Sequence, residues 1–286
     1  MKTAGKLAPW LRRRLPAGGR YERVASVINT LGLETICVSA NCPNRGQCWS
    51  RGTATVLILG NICTRNCGFC SVPGGRPMRP NVSEPRRIAE LVKLMGLKYL
   101  VLTSVTRDDL PDGGAGHFRD CINRVRSEIG DIHFEILTPD FKGCQEKAIE
   151  ILGKAAPFVF GHNIETVEQL YPTVRPGADY RRSLRLLELA GRSFPDMPRK
   201  SAIMLGLGES DEQVKKTLAD LRKAGCSRVV IGQYLQPGKD SLPVVDYIEP
   251  ARFEYWKREA KHLGFSWVMA QPFARSSFLA EQEQIS

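Results

Sequence analysis

Six of the nine cysteines lie between residues 37 and 70, in two triplets of different spacing: Cys37-x4-Cys42-x5-Cys48 and Cys63-x3-Cys67-x2-Cys70. Each iron of a four-iron cluster needs an outer ligand, so three thiolates leave one iron open to a substrate or cofactor. Two triplets imply two clusters with separate duties. Zinc is the rival occupant, since tetrahedral zinc also takes cysteines, but zinc knuckles use CxxC pairs and a fourth ligand. Phe69, beside the last ligand of the second triplet, is placed to shield a cluster from water and tune its potential. Cys121, Cys144 and Cys226 stand apart from both triplets. Cys121 shares a helical face with Phe118, Ile122 and Val125, and for all three a buried inert thiol is expected.

The elements that must position these triplets alternate. A helix is expected over Tyr21–Leu31, with Val24, Val27, Ile28 and Leu31 on one face and Gly32 ending it. The first triplet follows in a stretch that reads as irregular. Buried strands are then expected at Thr53–Gly60, Tyr99–Val105, Ile132–Leu137, Phe158–Asn163, Ser201–Leu207 and Val229–Leu235. Helical patterns separate them, the first capped by Ser83 and the others near residues 117–129, 145–153, 181–191, 211–224 and 250–263. A last apolar run, Ser266–Ala270, leads to the C-terminus. This alternation predicts an α/β fold, a parallel sheet with helices outside. Six βα units are too few for a closed eight-stranded barrel, so a partial, open (β/α)6 barrel is expected. Residues 1–52 read as an N-terminal extension, 53–265 as the barrel and 266–286 as a C-terminal segment. In such folds the chemistry gathers at the carboxyl ends of the strands. The polar, Gly-rich segments Cys63–Cys70, Thr103–Gly114, His162–Thr166, Gly206–Ser210 and Gln233–Gly238 lie there.

The chain of 286 residues is long enough for one large core. No apolar run approaches the roughly 18 residues of a membrane span, so no membrane partner is expected. The odd cysteine count, the lack of an export signal and the metal-like spacing together predict the reducing cytoplasm. With 41 basic and 30 acidic residues the net charge is +11. The basic residues are scattered without an RNA-binding signature, which argues against nucleic acid; an acidic protein partner or an anionic cofactor fits the excess, but a solvated basic surface is the expectation for most of these charges. Residues 1–21 hold six of them (Lys2, Lys6, Arg12, Arg13, Arg14 and Arg20) and no acid, which reads as a basic arm.

The x3-x2 spacing after the first strand resembles the signature of the radical S-adenosylmethionine (SAM) superfamily. The likeness extends through nearly the whole chain to the lipoyl synthase family, carried by CVSANCPNRGQCW, GTATVLILGNICTRNCGFCSV, TSVTRDDLPDGGA, HNIETV, VRPGADYRRSL, GLGES, IGQYLQP and the terminal RSSF. The resemblance implies that Cys63, Cys67 and Cys70 hold a SAM-cleaving 4Fe–4S cluster. It also implies an auxiliary 4Fe–4S cluster on Cys37, Cys42 and Cys48, with Ser277 as its fourth ligand. A serine oxygen is a hard, weakly held ligand for cluster iron, which suits a cluster that is opened and consumed. The implied reaction inserts two sulfur atoms, at carbons 6 and 8 of a protein-bound octanoyl-lysine, with the auxiliary cluster as donor and one SAM used for each C–H bond.

The implied partners are octanoylated lipoyl carrier proteins or domains, reduced ferredoxin or flavodoxin as electron donor, and an iron–sulfur carrier that rebuilds the cluster. For SAM contacts the candidates are Asn163, Glu165, Arg175, Gly208, Glu209 and Gln233; Arg275 is a candidate beside the auxiliary cluster. The structural alternative for each is capping or barrel-mouth support. The chain departs from the family pattern at Phe278 for Tyr, Ser241 for His, Thr106 for Asp, and VSAN between Cys37 and Cys42. Two other functions stand beside this one: a radical SAM enzyme whose second cluster only transfers electrons, and a non-catalytic iron–sulfur carrier.

Overall fold

The structure, a computed structural model, describes residues 8–12 and 19–284. Lys2, Lys6, Arg13 and Arg14 of the expected basic arm lie outside the described residues. The chain divides into two compact units, one of Leu15–Arg65, Val72–Phe160 and Leu279–Ser286, the other of Met1–Arg14, Asn66–Ser71 and Gly161–Phe278. The fold is α/β, and eight strands follow chain order across a sheet that hydrogen bonds do not close among the described residues.

In the first unit, α1 (Gly19–Leu31) buries Val24, Ile28 and Leu31. Strand β1 (Glu34–Thr35) pairs antiparallel with β2 (Thr55–Ile58). Between them, α2 (Ile36–Ser39) and α3 (Arg45–Ser50) carry Cys37 and Cys48. The expected irregular stretch is therefore partly helical, in pieces of four and six residues that are too short to show a 3.6-residue period. Then follow α4 (Glu84–Met95), β3 (Tyr99–Ser104), α5 (Ala115–Ile129), β4 (His133–Leu137), α6 (Gln145–Gly153) and β5 (Val159–Gly161). Strands β2, β3 and β4 are parallel, with Val56 opposite Leu102 and Leu102 opposite Ile136. Because both faces of these strands are covered, they read as continuous apolar runs; Val56, Ile58, Leu100 and Leu102 are fully buried.

The second unit carries α7 (Tyr171–Val174), α8 (Tyr180–Ser193), β6 (Arg199–Leu205), α9 (Asp211–Lys223), β7 (Arg228–Gln233), α10 (Pro250–His262) and β8 (Trp267–Ala270). Strands β6, β7 and β8 are parallel, with Ile203 opposite Ile231 and Ile231 opposite Ala270. The terminal apolar run is thus a further strand of the sheet.

Two helix starts show how local chemistry sets the loops. Ser83 does not cap α4: its backbone is already helical and its hydroxyl donates to Asn81 Oδ1 at 2.8 Å. Ser210 does cap α9, in a box closed by Gln213, which pins the end of the Gly206–Glu209 loop. Cys121 and Cys226 are buried as expected, and burial pushes the Cys226 thiol up to about 12. Cys144 is the exception, partly exposed at the N-cap of α6.

Gly232 on β7 lets the C-terminal segment approach, since a Cβ there would run into the Ala274 carbonyl oxygen. Gly232→Ala is expected to destabilise the protein by about 1–3 kcal/mol, the range for forced overpacking. Gly238→Ala, where a Cβ meets open space, should leave stability unchanged. Urea unfolding of the two variants against the parent checks both.

Candidate cluster and cofactor site

The second triplet begins five residues beyond the end of β2 at Ile58, and the chain between is held tightly. Leu59 has φ of 68°, a left-handed conformation uncommon for a bulky residue. Its N–H donates to Glu84 Oε2 at 3.0 Å, and its carbonyl accepts from Arg107 Nη1 at 3.3 Å. Both side chains are buried and both have charged or polar partners. His117 Nε2 lies 2.6 Å from Glu84 Oε2, and Arg107 is bidentate to Asp109 at 2.8 Å on both arms. Gly114, with φ of 91°, is what lets the Leu59 side chain fit, since a Cβ there would collide with it.

The loop that follows is fastened to the loop after β3. Thr64 bonds the Thr106 carbonyl through both its N–H (3.1 Å) and its hydroxyl (3.0 Å). Asp108 N–H donates back to Thr64 Oγ1 at 3.1 Å. Arg65 is buried, bidentate to Asp108 at 2.8 and 2.8 Å and bonded to Asp140 at 2.6 Å. Together these carboxylates hold its guanidinium well above the usual range against the opposing effect of burial. Arg107-Asp108-Asp109 is thus two ion pairs pointing opposite ways, one to Arg65 and one internal. Cys63 itself is set by main chain: its N–H donates to Pro73 O and its carbonyl accepts from Gly75, both at 2.8 Å. Arg65 N–H reaches the Cys63 sulfur at 3.4 Å.

In the other unit, the segment with Cys67 and Cys70 is held on two sides. Gly68 N–H donates to Val174 O at 2.9 Å, and Leu242 N–H donates to Gly68 O at 2.7 Å. Phe69 packs in an apolar cluster with Val174, Leu207, Tyr234 and Val244. Burial raises the Tyr234 phenol, with Cys70 adding to the effect, and its hydroxyl donates to Leu242 O at 2.6 Å.

The candidate SAM contacts fall in this same unit. Glu165 has φ of 66° and bridges to Ile203, its N–H bonded to Ala202 O at 2.9 Å. A strained non-glycine residue at a strand end is a recurrent mark of functional sites. Burial raises its carboxyl, while Arg175, Asn163 and Arg275 work against that. Asn163 Nδ2 donates to Glu165 Oε1 at 3.0 Å, and its Oδ1 accepts from Ser276 Oγ at 2.9 Å. The C-terminal RSSF segment is therefore tied to the strand end after β5. Arg175 Nη1 donates to Asn163 O (3.0 Å), Ile164 O (3.2 Å) and Tyr171 Oη (2.9 Å), so it staples the HNIET segment. Glu209 accepts from the N–H groups of Gly206 (2.5 Å) and Leu207 (2.9 Å), closing the loop around Gly208. Gln233 is fully buried and wholly engaged with main chain: Nε2 bonds Leu205, Tyr234 and Asp246 carbonyls, and Oε1 accepts from Ile248. It shapes the strand end and offers no spare polar group. Arg275 Nη1 bonds Ala274 O at 2.7 Å, and Ser277 is partly exposed.

Around the first triplet, Cys37 is buried on α2, and Cys42 and Cys48 are partly exposed. Burial raises the Cys37 thiol, with the neighbouring Cys42 adding to it; the Thr55 backbone and the Trp49 indole N–H act against it. That N–H is buried without a hydrogen-bond partner. Among the described residues no three His, Cys, Asp or Glu side chains converge as ligands of a single metal ion. Cluster ligands each bind a different iron and stand farther apart, so six cysteines outside any disulfide, with the Arg65 N–H reaching the Cys63 sulfur, fit iron–sulfur ligation.

Sequence reasoning missed Arg65, Asp140, Glu84 and His117, which position the loop without carrying its chemistry. Arg65→Ala takes the guanidinium away from buried Asp140 and from Asp108 and should cost about 3–5 kcal/mol. Asp108→Asn, at a side chain 29% exposed, should cost markedly less. Denaturant titration of both variants measures the difference.

The model of the radical SAM superfamily matches residues 57–233. The lipoyl synthase of Methylococcus capsulatus is 49% identical over 96% of this chain and 85% of its own length. That of Thiobacillus denitrificans is 46% identical over 97% and 89%. Among solved structures, methylornithine synthase (PylB) superposes with a TM-score of 0.56 at 12% identity, covering 92% of this chain and 90% of its own. The FeFe-hydrogenase maturase HydG from Carboxydothermus hydrogenoformans gives 0.56 at 19%, covering 80% and 64%; both likenesses concern the fold. The chain belongs to the lipoyl synthase family of radical SAM enzymes, which form the lipoyl cofactor.

Proposed function

We propose that this enzyme inserts two sulfur atoms into the octanoyl chain of a lipoyl carrier, with Cys63, Cys67 and Cys70 holding the SAM-cleaving cluster and Cys37, Cys42, Cys48 and Ser277 the auxiliary one. When bound, the first cluster supplies the electron that cleaves SAM, and the second supplies the sulfur. The observation that carries the reading is the fixing of the second triplet. Main-chain bonds to Cys63 and the Arg65 ion pairs fix the start of this short loop, which supports reading its spacing as that of a cluster with one iron open.

The residues around it have distinct roles. Phe69 and its apolar neighbours exclude water, which keeps the electron transfer from being diverted. Asn163 and Glu165 present polar atoms at the strand end for SAM's charged and hydroxyl groups, and Arg175 holds that segment in register. Gly206 lets Gln233 and the Asp246 carbonyl pack directly on the Gly206–Glu209 loop, since a Cβ there would strike both. Gln233 steadies that loop. Ser277 supplies a weakly bound oxygen that leaves the auxiliary cluster easy to open. Arg275, whose charge acts on Glu165, helps order the same segment. Electrons come from reduced ferredoxin or flavodoxin, and an iron–sulfur carrier rebuilds the consumed cluster.

Reconstituted anaerobically, the parent should bind about eight irons, and Cys→Ala replacement of either triplet should leave about four. Loss of Cys63, Cys67 and Cys70 should abolish SAM cleavage. Loss of the first triplet should preserve cleavage but stop sulfur insertion into an octanoyl-lysine peptide. Ser277→Cys should retain the auxiliary cluster and slow sulfur insertion; full product formation in that variant counts against a sacrificial cluster. Iron and sulfide assays with mass spectrometry of the peptide decide among these.

A further inference from the structure

The chain leaving the second triplet forms a surface that the proposed chemistry does not use. Gly75 N–H is bonded to the Cys63 carbonyl at 2.8 Å. From there the backbone runs without regular structure through Arg76, Met78, Arg79 and Val82 to Arg86 in the first turns of α4. All five of these side chains are exposed; Met78 is 85% and Val82 95% accessible, the highest values among exposed large hydrophobics of the described residues. The one acid between residues 63 and 89 is Glu84, and it is buried, turned inward to Leu59 and His117. The positive charge of the three arginines is therefore not cancelled within the segment. Val82 and Arg86 also border an open cleft of about 620 Å³, completed by Asn123 and Ser127 of α5. The other charges of that cleft, Asp120 and Arg124, are paired with Arg119 and Glu128.

Apolar side chains ringed by uncancelled arginines and bordering a cleft have the composition of a protein interface with an acidic partner. We propose that this surface docks an acidic face of the protein that carries the octanoyl chain; the proposal rests on the lipoyl synthase reading above. The position favours the carrier over an electron donor. An octanoyl chain must be delivered to the reacting atoms, so its carrier has to bind at the rim of the cysteine loop, where Gly75 is bonded to Cys63. An electron donor needs only to come close to a cluster, from any accessible face.

Met78 and the arginines are exposed, so the charge reversal Arg76→Glu, Arg79→Glu, Arg86→Glu in one chain should fold normally. It is assayed with dithionite as reductant, against an octanoylated carrier domain and a short octanoyl-lysine peptide. The KM for the carrier domain should rise about tenfold or more, as for lost electrostatic steering and contact. The peptide KM and SAM cleavage without substrate should stay as in the parent. Parental KM for the carrier should rise with salt, and the variant's should not. Equal effects on carrier and peptide, or none on either, overturn the proposal. So does a loss seen only when flavodoxin replaces dithionite, because the surface then serves the reductant. If the parent converts neither substrate, the functional reading itself fails, a result separate from a parent active on the peptide whose carrier KM ignores the reversal.

Discussion

The cysteine loop depends on a guanidinium taken out of water. Arg65 lies between Cys63 and Cys67, and its charge is met by Asp108 from the loop after β3 and by Asp140 from the loop after β4. A lysine would not serve, since the planar fork is what engages Asp108 through two parallel bonds while a further N–H reaches Asp140. Buried ion pairs contribute little net stability, but removing one partner is costly, so this arrangement favours a unique loop position over raw stability. Behind it stands the left-handed turn at Leu59, held at its N–H and carbonyl by Glu84 and Arg107. Three successive strand ends are thereby tied to the loop that begins at Cys63.

The other unit fixes its strand ends chiefly through main-chain hydrogen bonds. Its loops are closed by side chains that donate to main-chain carbonyls and accept from main-chain N–H groups. Gln233 bonds four backbone atoms, Glu209 accepts two N–H groups, and Arg175 donates to two carbonyls and a phenol. The C-terminal segment joins this network through Ser276 and Asn163, and it lies against β7 because Gly232 lacks a Cβ. The family departures are absorbed by the same logic. Thr106 contributes its carbonyl rather than its side chain to Thr64, so an acid is not needed for that contact. Phe278 is buried, where a phenol hydroxyl would require a partner.

The strands were legible because both faces of a parallel sheet are covered, which writes them as plain apolar runs. Their ends were less so. β6 stops at Leu205, short of the expected Leu207, because Gly206 turns to φ of 98°. β5 ends at Gly161, and the His162–Glu165 stretch continues beside β6 through its own bridge. The two cysteine triplets stood out by spacing alone, because a short loop that wraps a cluster needs its thiolates at fixed intervals. Arg65 was not: it is one of 41 basic residues, and its partners lie 43 and 75 positions away. Nothing local distinguishes a buried arginine from a solvated one before the loops are folded together. Helices α2 and α3 were hidden for the opposite reason, being too short for any period to show.

The central claim is that one of two clusters is consumed to supply sulfur. Its most direct measurement is the isotopic mass of the product from enzyme reconstituted with heavy-isotope sulfide and assayed without other sulfide. Two heavy sulfur atoms in one octanoyl chain, with matching loss of sulfide from the protein, are predicted. A product with light sulfur, or full retention of the heavy sulfide after turnover, would contradict the account.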